Sequence, residues 1–446
     1  MVKKKVLWLG DFCCATGFAN VNHNIVRQLL KTGEYEIDVI GINYMGDPHN
    51  WPIRVYPAID FTRANKDPRY QDLFGRQRVL DLLGTGQYDI FFSLQDTFIM
   101  EEIGKKIIET RNELKKRGMK TFKWIFYFPV DGKLKPNWVS QSVAYADYPV
   151  TYTNFAFNEV KAVDPRQNPK VIFHGTDLTA FRPLPMAEIE AFKQKMFGQV
   201  ADDKFIVTNV NRNQRRKDIP RTIIAFSKFH QQRPDSLLYL HMNPLDVGGN
   251  LHEMCRYWGL APIKDYVVPD NFSENHGWPI DVVNQVYNMS DVVISTTLGE
   301  GWGLSSTEAF ATKTPIIFPN NTSLREIVGK DRGRLVKSGS SNNLWTCLGA
   351  EDWNQFRPLT DVDDLTVALI DAYDHPEKSK EMAENAYKWV QDYSWEKVCE
   401  KWIEIFREAT EDKVAVPKIG RNDPCPFCND GVTKWKKCIK HNEEAI

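Results

Sequence analysis

Two successive stretches of this chain alternate short apolar runs with helical patterns, and this alternation constrains the fold more than any other feature. The apolar runs of the first stretch are KVLWLG, YEIDVIGI, YDIFFSL and TFKWIFYFPV. The second stretch begins near residue 204 and contains KFIVTNV, SLLYLHM, DVVIST and PIIFP. Strands that alternate with helices indicate βαβ units and a parallel sheet covered on both faces. The sequence therefore predicts an α/β protein with two doubly wound domains that face a cleft.

The length of the chain agrees with two domains, because 446 residues are too many for one ordinary core. The segment VIFHGTDLTAFRPLP is rich in turn formers and prolines and is a candidate linker. We place the first domain at 1–180 and the second at 181–393. Residues 338–358 are expected to form an insertion or a long loop, and the sequence changes character after Lys413.

Composition excludes several classes of protein. With 42% hydrophobic and 26% charged residues, the chain is typical of soluble globular proteins, and it contains no apolar run long enough for a transmembrane segment. The start, MVKKKVLWLG, indicates a first buried strand rather than a signal peptide. A formal net charge of -1 gives no whole-chain preference for nucleic acid or membrane. Eight cysteines without a signal favour thiols in a reducing compartment, so we expect a cytoplasmic protein.

The segment GEGWGLSSTEAF follows a predicted strand and opens a predicted helix. The N–H groups near Gly301, Gly303 and Leu304 then lie at a helix N-terminus, which favours an anion. Carboxylates accept hydrogen bonds from vicinal diols, so Glu300 and Glu308 are candidates for binding sugar or ribose hydroxyls. The alternative is that Glu300 caps the helix and Glu308 is a solvated helix residue.

A basic turn follows the first strand of the second domain, in VTNVNRNQRRKD. Arg212 offers a planar fork for phosphate oxygens and Lys217 a mobile point charge, so together they could neutralise a diphosphate. The alternative is a solvated basic turn, and we expect this for Arg215 and Arg216.

These residues resemble a known family, the retaining glycosyltransferases of family 4, which adopt the GT-B fold of two Rossmann-like domains facing a cleft. The family carries two glutamates separated by seven residues, as Glu300 and Glu308 are, and an Arg-x4-Lys pattern, which Arg212 and Lys217 match. The segments FHGTDLTAFRP and AFATKTPIIFPNNTSLREIV are also similar to family segments. YSWEKVCEKW resembles the closing helix, here near 394–412, that crosses back to the first domain. The resemblance covers residues 1 to about 410.

The resemblance implies a role for each of these residues. Arg212 and Lys217 would hold the donor's diphosphate, Glu308 would bind the ribose, and Glu300 would contact the transferred sugar. The glycine-bearing loop ATGFAN would close over the diphosphate from the first domain. The donor-binding set implied in this way is Gly17, Arg212, Lys217, Glu300, Gly301, Trp302, Gly303, Leu304 and Glu308.

The chain departs from the family at the transferred sugar. Many relatives place a histidine at the end of a late strand of the first domain, whereas the comparable segment here, YFPVDGKLKPNW, offers Asp131. Asp131 either takes the catalytic role or forms an Asx-type turn before Gly132. Gln95 and Asp96 also follow a predicted strand, and we expect them to meet the acceptor. We expect no metal at this site, because no Asp-x-Asp pair is placed beside the diphosphate.

The C-terminal segment RNDPCPFCNDGVTKWKKCIKH carries a second chemistry. Two closely spaced pairs of ligands, a C-x2-C and a C-x2-H, match a tetrahedral structural zinc site. The segment, within 413–446, resembles the SEC-C zinc motif, although that motif usually spaces its first two cysteines as C-x-C. The predicted Zn2+ ligands are Cys425, Cys428, Cys438 and His441. The alternative is an unstructured tail.

The sequence therefore predicts a retaining glycosyltransferase that transfers a hexose from a nucleotide-diphosphate sugar, with a UDP-sugar expected, to a hydroxyl acceptor. The acceptor class stays open among a saccharide, another small molecule and modified DNA. One alternative is transfer to hydroxylated bases in DNA, with the zinc tail helping to hold the duplex. Alternatives of another class are a nucleotide-sugar epimerase and a non-catalytic nucleotide-sugar-binding protein.

Overall fold

The computed structural model describes residues 2–269, 272 and 277–411. Its first domain contains a parallel sheet of seven strands in the spatial order β3-β2-β1-β4-β5-β6-β7. The strands are β1 (Lys4–Asp11), β2 (Tyr35–Ile42), β3 (Arg54–Pro57), β4 (Ile90–Leu94), β5 (Lys123–Phe128), β6 (Tyr148–Thr151) and β7 (Lys170–Val171). The helices that connect them are α1 (Gly17–Thr32), α2 (Phe61–Ala64), α3 (Arg76–Gly84), α4 (Thr97–Lys116), α5 (Pro136–Ser140) and α6 (Asn154–Val163).

The second domain repeats this plan with a parallel sheet of six strands in the order β10-β9-β8-β11-β12-β13. The strands are β8 (Phe205–Val210), β9 (Ser236–His241), β10 (Tyr266–Val267), β11 (Val292–Ile294), β12 (Ile316–Pro319) and β13 (Arg334–Val336). The helices are α7 (Met186–Phe197), α8 (Ile219–His230), α9 (Leu251–Tyr257), α10 (Ile280–Asn288), α11 (Leu304–Ala311), α12 (Leu324–Val328), α13 (Val362–Asp374) and α14 (Pro376–Val390). The prediction of two α/β domains with parallel sheets is confirmed.

The strand order places the functional edge of each sheet. In the first sheet the direction of winding reverses between β1 and β4, and in the second it reverses between β8 and β11. Ligands of doubly wound sheets bind beyond the carboxyl ends of the strands at such a reversal. The segments that follow these four strands begin near Phe12, Gln95, Asn211 and Ser295. A ligand-binding site is therefore expected in these segments.

The segment expected to be an insertion or long loop, 338–358, is folded in part. It contains the antiparallel strands β14 (Trp345–Cys347) and β15 (Phe356–Pro358), joined through a short 3₁₀ turn at Ala350–Asp352. We call Trp345–Pro358 the hairpin. Its tip reaches the first domain, where Nζ of Lys135 donates to the carbonyl of Trp353 at 2.7 Å.

The last helix, α15 (Trp395–Thr410), packs on the first sheet rather than the second. Its buried residues recur every three to four positions, as in an amphipathic helix. Trp402 lies 4.6 Å from Tyr127 and 5.6 Å from Phe92, measured between ring centroids. An ion pair between Arg407 and Glu34 adds a polar contact at the surface.

The chain therefore returns to the first domain after completing the second. No helix among the described residues combines the length and the apolar character needed to cross a bilayer.

Candidate functional site

The loop after β11, residues 295–303, crosses the cleft and touches the first domain. A Cβ atom on Gly299 would lie 2.1 Å from the carbonyl oxygen of Asp131, and one on Gly301 would lie 2.9 Å from Cβ of Pro129. Real Cβ atoms do not approach other atoms so closely, and a backbone carbonyl cannot yield as a flexible side chain does. The glycines of this loop thus permit the two domains to meet at the carboxyl end of β5.

Glu300 lies at the centre of this contact, with 13% of its side chain exposed. Lys217 donates from Nζ to its Oε1, and Nη1 of Arg216 lies 3.6 Å from its Oε2. The backbone N–H of Glu300 donates to Oγ1 of Thr322 at 2.9 Å. The alternative that Glu300 caps the helix does not hold, because the N-cap of α11 is Gly303 and no side chain caps it.

Asp131 belongs to the same charged network. Nη1 of Arg357, on the hairpin, lies 3.0 Å from its Oδ1 and also donates to its carbonyl, while Nε of Arg216 lies 3.4 Å from its Oδ2. The carboxylate therefore faces two guanidinium groups instead of closing an Asx-type turn. Lys217, Glu300, Arg216, Asp131 and Arg357 form one continuous cluster across the cleft, which we call the charge cluster.

Arg216 corrects an expectation from the sequence. We expected it, with Arg215, to be a solvated turn residue. Only 26% of its side chain is exposed, and it bridges Asp131 and Glu300. Arg215 does lie at the surface, where it pairs with Glu351 and leaves 62% of its side chain exposed.

The charge cluster sets the protonation of its carboxyl groups. Burial raises the pKa of Glu300, but the nearby charges of Lys217 and Arg216 outweigh it and hold the pKa below its usual range. Burial likewise raises the pKa of Asp131, and Arg216 and Arg357 outweigh it in the same sense. Both groups are therefore carboxylates at neutral pH.

The N-terminus of α11 offers backbone donors beside Glu300. Gly303 has φ 96°, a left-handed conformation that suits glycine, and this turns the chain sharply into the helix. Among the hydrogen bonds of the described residues, the N–H groups of Trp302, Gly303 and Leu304 have no acceptor. Free donors at a helix N-terminus favour the approach of an anion.

Glu308 lies in the second turn of α11, away from the charge cluster. Its Oε2 accepts a hydrogen bond of 2.6 Å from the hydroxyl of Tyr287 on α10. Burial raises the pKa of Glu308 to about 7, and the hydrogen bond from Tyr287 only partly opposes this. Glu308 is thus partly buried rather than a solvated helix residue, and its charge changes near neutral pH.

The two residues predicted to bind the diphosphate, Arg212 and Lys217, lie in different surroundings. Lys217 ends a short 3₁₀ turn, Arg215–Lys217, and only 12% of its side chain is exposed. Arg212 is half-exposed, and its Nε lies 2.7 Å from Oδ2 of Asp246. The structure therefore places Lys217 inside the charge cluster, whereas Arg212 forms an ion pair with Asp246.

The loop of the first domain that carries Gly17 faces the same helix. Oγ1 of Thr16 donates to the carboxylate of Asp11 at 2.6 Å and accepts the N–H of Ala19 at 3.1 Å, which caps α1. A Cβ on Gly17 would lie 3.1 Å from Cδ1 of Leu304. Gly17 and Leu304, predicted from separate motifs, thus lie against each other across the cleft.

Trp302 and His174 contact each other rather than a solvent-filled cleft. The Trp302 side chain is buried, with its ring centroid 5.1 Å from Phe173 and 5.5 Å from His174. Nδ1 of His174 lies 2.8 Å from the hydroxyl of Tyr127, and burial lowers its pKa to about 3. Trp302 can therefore offer a ligand its backbone but not its indole, and His174 is a neutral packing residue.

A cavity of about 230 Å³ opens beside the charge cluster, between the first domain and the hairpin. Asp96, the residue that precedes α4, lines it together with Phe98, Trp353 and Gln355. Burial, with the nearby charge of Asp131, raises the pKa of Asp96 to about 7. A larger depression of about 890 Å³ lies near the opposite end of α4, far from the strand ends that carry the site.

The predicted zinc ligands Cys425, Cys428, Cys438 and His441 lie outside the described residues. Within 2–269, 272 and 277–411, no group of three or more His, Cys, Asp or Glu residues is arranged to hold a metal ion.

Residues 269–345, which include the Glu300 loop and α11, match the family model described as Glycosyl transferases group 1. The two-domain fold is that of the GT-B glycosyltransferases. The sucrose-phosphate synthase of Thermosynechococcus elongatus superposes with a TM-score of 0.65 at 18% identity, covering 91% of this chain and 99% of that one. HepE of Anabaena, solved in complex with UDP and glucose, gives a TM-score of 0.65 at 14% identity, covering 91% of this chain and 100% of that one.

Curated relatives are similar in sequence over part of the chain. The D-inositol 3-phosphate glycosyltransferase of Rhodococcus jostii (strain RHA1) is 26% identical over 250 residues, 54% of this chain and 47% of that protein. The enzyme of the same description from Paenarthrobacter aurescens (strain TC1) is 23% identical over 240 residues, 53% of this chain and 50% of that protein. The match thus spans about half the length of these relatives.

Sequence reasoning missed several residues at the site. Arg357 is separated from Asp131 by 226 positions and lies in a segment with no motif, so no local signal indicated it. Tyr287 is one residue of an amphipathic helix, and nothing in the pattern links it to Glu308. The chance to find Arg216 was better, because it directly precedes Lys217 in the basic turn.

Proposed function

We propose that the protein is a retaining glycosyltransferase that transfers a hexose from a nucleotide-diphosphate sugar, with UDP as the nucleotide, to a hydroxyl acceptor. The observation that carries this proposal is the position of Glu300. It is a carboxylate held by Lys217 and Arg216, next to the free N–H groups that open α11. A carboxylate beside an anion-binding helix end suits a ligand that carries hydroxyls and phosphates together.

The diphosphate of the donor would bind between Lys217 and the N–H groups of Trp302, Gly303 and Leu304. Lys217 has three N–H donors and spends one on Glu300, so donors remain for phosphate oxygens. Arg212 would join them from its ion pair with Asp246. The developing charge of the leaving diphosphate is stabilised by such preorganised donors, each worth a few kcal/mol in comparable sites.

The nucleoside would lie along α11, with its ribose hydroxyls on Glu308. Tyr287 holds one carboxylate oxygen of Glu308, which orients the other for a ligand. Gly301 and Gly303 let the donor approach the backbone closely, and Gly17 would cover the diphosphate from the first domain. Glu300 would contact hydroxyls of the transferred hexose.

The transfer itself would take place on one face of the sugar. The bond between the anomeric carbon and the diphosphate oxygen breaks, and the acceptor oxygen bonds to the same carbon from the same side. The proton of the acceptor hydroxyl passes to the departing phosphate oxygen, so no pair of flanking carboxylates of the glycosidase kind is needed. Asp131, anchored by Arg357, would lie near the reacting sugar as part of the charge cluster.

UDP is proposed as the nucleotide on a likeness of fold. HepE has been solved with UDP and glucose, and its fold resembles that of this chain at 14% identity.

The decisive experiment is calorimetric titration of UDP, GDP and ADP, and then of their hexose conjugates, into wild type and Glu308→Ala. We expect one nucleotide to bind selectively, and the substitution to weaken its binding. If none of the three nucleotides binds, the proposed donor site is wrong.

For the C-terminal segment we propose a structural zinc ion held by Cys425, Cys428, Cys438 and His441, on the spacing of these residues alone. We expect one zinc ion per purified chain by elemental analysis. Cys425→Ser and Cys438→Ser should lose it, whereas Cys347→Ser, which changes an exposed thiol outside the motif, should keep it. Zinc-free wild-type protein that folds and melts normally would contradict the proposal.

A further inference from the structure

The cavity beside the charge cluster has walls from both domains. The first domain contributes the residues that follow β4 and β5, among them Asp96 and Asp131, and the hairpin contributes Trp353, Gln355 and Arg357. Its volume of about 230 Å³ lies below the range of about 300–1,000 Å³ found for drug-sized ligands. The cavity therefore suits a single ring-sized group beside Asp131, Arg216 and Arg357 of the charge cluster.

The cations that line this cavity are already paired. Lys133 lies 2.7 Å from Glu159, and Arg216 and Arg357 hold the carboxylate of Asp131. Arg357 also pairs with Asp352 at 2.7 Å. The lining also carries four carboxyl side chains, Asp96, Asp131, Glu351 and Asp352, against three cations, so it has no net positive charge to attract a phosphate.

The groups left without partners are hydrogen-bond acceptors. Within the described part of the chain, the carboxylate of Asp96 has no hydrogen bond or ion pair; only its backbone is bonded. Oε1 of Gln355 is buried and has no hydrogen-bond partner. Acceptors without partners beside a cavity favour a ligand that brings hydroxyl donors, and for the buried Oε1 of Gln355 the missing hydrogen bond is costly. A phosphate dianion offers only more acceptors and negative charge.

The hairpin presents an aromatic surface at the same place. The Trp353 ring lies 5.1 Å from Phe98 and 6.0 Å from Trp138, measured between centroids, and 39% of Trp353 is exposed. Both Trp353 and Asn354 have positive φ, near 56° and 55°, which non-glycine residues rarely adopt. Backbone strain of this kind is found at ligand-binding sites, where the surrounding structure holds it in place.

We propose that this cavity is the acceptor subsite and takes an uncharged, polyhydroxylated ring, with Asp96 and Gln355 accepting hydrogen bonds from its hydroxyls and Trp353 packing on its apolar face. The inference rests on the proposed glycosyl transfer and narrows its acceptor to a neutral saccharide or cyclitol. The Rhodococcus jostii and Paenarthrobacter aurescens relatives are named for D-inositol 3-phosphate, a cyclitol that carries a phosphate. We expect this chain instead to prefer the neutral ring over its phosphorylated form.

The test measures acceptor binding separately from turnover. The full chain is first saturated with whichever of UDP, GDP and ADP binds by calorimetry. Paired probes are then compared by saturation-transfer NMR: glucose with glucose 6-phosphate, and myo-inositol with inositol 3-phosphate. We expect the neutral member of each pair to bind at least about tenfold more tightly than its phosphorylated partner.

Three variants test where and how these probes bind. Trp353→Ala should weaken the neutral probes at least about tenfold. Trp345→Ala, on the same hairpin but outside the cavity lining, should not weaken them. Asp96→Asn removes the charge and keeps hydrogen-bonding atoms, so it should narrow the gap between the two members of a pair. Thermal melts of each variant confirm that it is folded.

The outcomes separate the two proposals. If no nucleotide binds, the proposed function itself fails. If a nucleotide binds but the phosphorylated probes bind better, no neutral probe binds, or Trp353→Ala binds neutral probes as wild type does, the acceptor inference is wrong and the donor site stands. Preferential binding of an oligonucleotide with hydroxymethylated bases would also overturn the inference, in favour of a DNA acceptor.

Discussion

Glu300 and Glu308 are eight residues apart on one loop and helix, yet they lie in opposite electrostatic surroundings. Glu300 faces two cations at the interface between the domains, which hold its pKa below the usual range. Glu308 faces a tyrosine hydroxyl within the second domain, and burial raises its pKa to about 7. The comparison teaches that a motif can place two carboxylates at a site without deciding which of them is charged.

The largest effect is expected for Glu300→Gln, which keeps the shape of the side chain and removes its charge. Because Glu300 would contact the transferred hexose, kcat should fall on the order of 10²–10³-fold. The Kd of the nucleotide alone should stay within a few fold, since Glu300 is not expected to contact the nucleoside. Transfer rates and calorimetry on the same preparation measure both, and unchanged transfer would remove Glu300 from the mechanism.

Gly299→Ala tests whether activity at the Glu300 site requires contact between the two domains. The new Cβ would lie 2.1 Å from the carbonyl of Asp131, so the domains have to move apart. A displacement of about 1 Å at a reacting centre can cost about 10²-fold, and we expect a loss of that order in kcat/KM. Gly84→Ala is the matched control, because nothing lies within 4 Å of a Cβ there. Equal activity of the two variants would show that closure at Gly299 is not needed.

Arg215 and Arg216 are neighbours with the same charge, but only Arg216 belongs to the charge cluster, whereas Arg215 lies at the surface. Substituting each in turn therefore compares the two environments. Arg216→Gln removes a cation from Glu300 and Asp131, so we expect kcat/KM to fall about tenfold to a hundredfold. Arg215→Gln removes an exposed ion pair, and such pairs contribute little, so the change should stay within about twofold. Parallel steady-state kinetics decide, and similar losses for both arginines would contradict the bridging role of Arg216.

The smallest effect is expected for Glu308 and is a dependence of nucleotide binding on pH. Since the charged carboxylate is the better acceptor for a ribose diol, nucleotide binding should strengthen about tenfold as pH rises from about 6 to about 8. Glu308→Gln should bind more weakly and lose this dependence. Calorimetry at several pH values measures it, and a persisting slope in the variant would assign the titration to another group.

Thermal stability gives an independent check on the direction in which the pKa of Glu308 is shifted. The folded state binds the proton of Glu308 more tightly than the unfolded chain does, because its pKa is raised. The contribution of protonated Glu308 to the free energy of unfolding is therefore complete below the ordinary carboxyl pKa, and it is lost as pH rises through about 7. Glu308→Gln should accordingly melt higher relative to wild type at about pH 8 than at about pH 5. The opposite trend would indicate a lowered pKa.

The fold followed from the sequence because its signal is local. Runs such as KVLWLG and KFIVTNV are apolar throughout, as strands buried on both faces have to be, and the helical patterns between them have one apolar side. The position of the Glu300 loop after a strand of the second sheet followed in the same way. The partners of that loop did not, because Asp131 and Arg357 come from segments distant in sequence.

Arg216 shows why the site was predicted less completely than the fold. Basic residues in a turn are usually solvated, and nothing in QRRKD distinguishes the arginine that is buried from the one that is exposed. The hairpin is a similar case. Its residues carry no motif, yet Arg357 is 3% exposed at the side chain and holds a carboxylate of the other domain.

The sequence by itself determined the two parallel sheets, the glycine-rich turn after a strand and the residues that this turn brings to the helix end. Tertiary structure alone decided that Glu300 is charged, that Glu308 titrates near neutral pH, and that the hairpin closes a cavity over Asp96. The physical reason is that pKa values and ion pairs depend on charges and burial within a few ångströms. In this protein those neighbours come from the other domain or from distant segments, and only the folded chain brings them together.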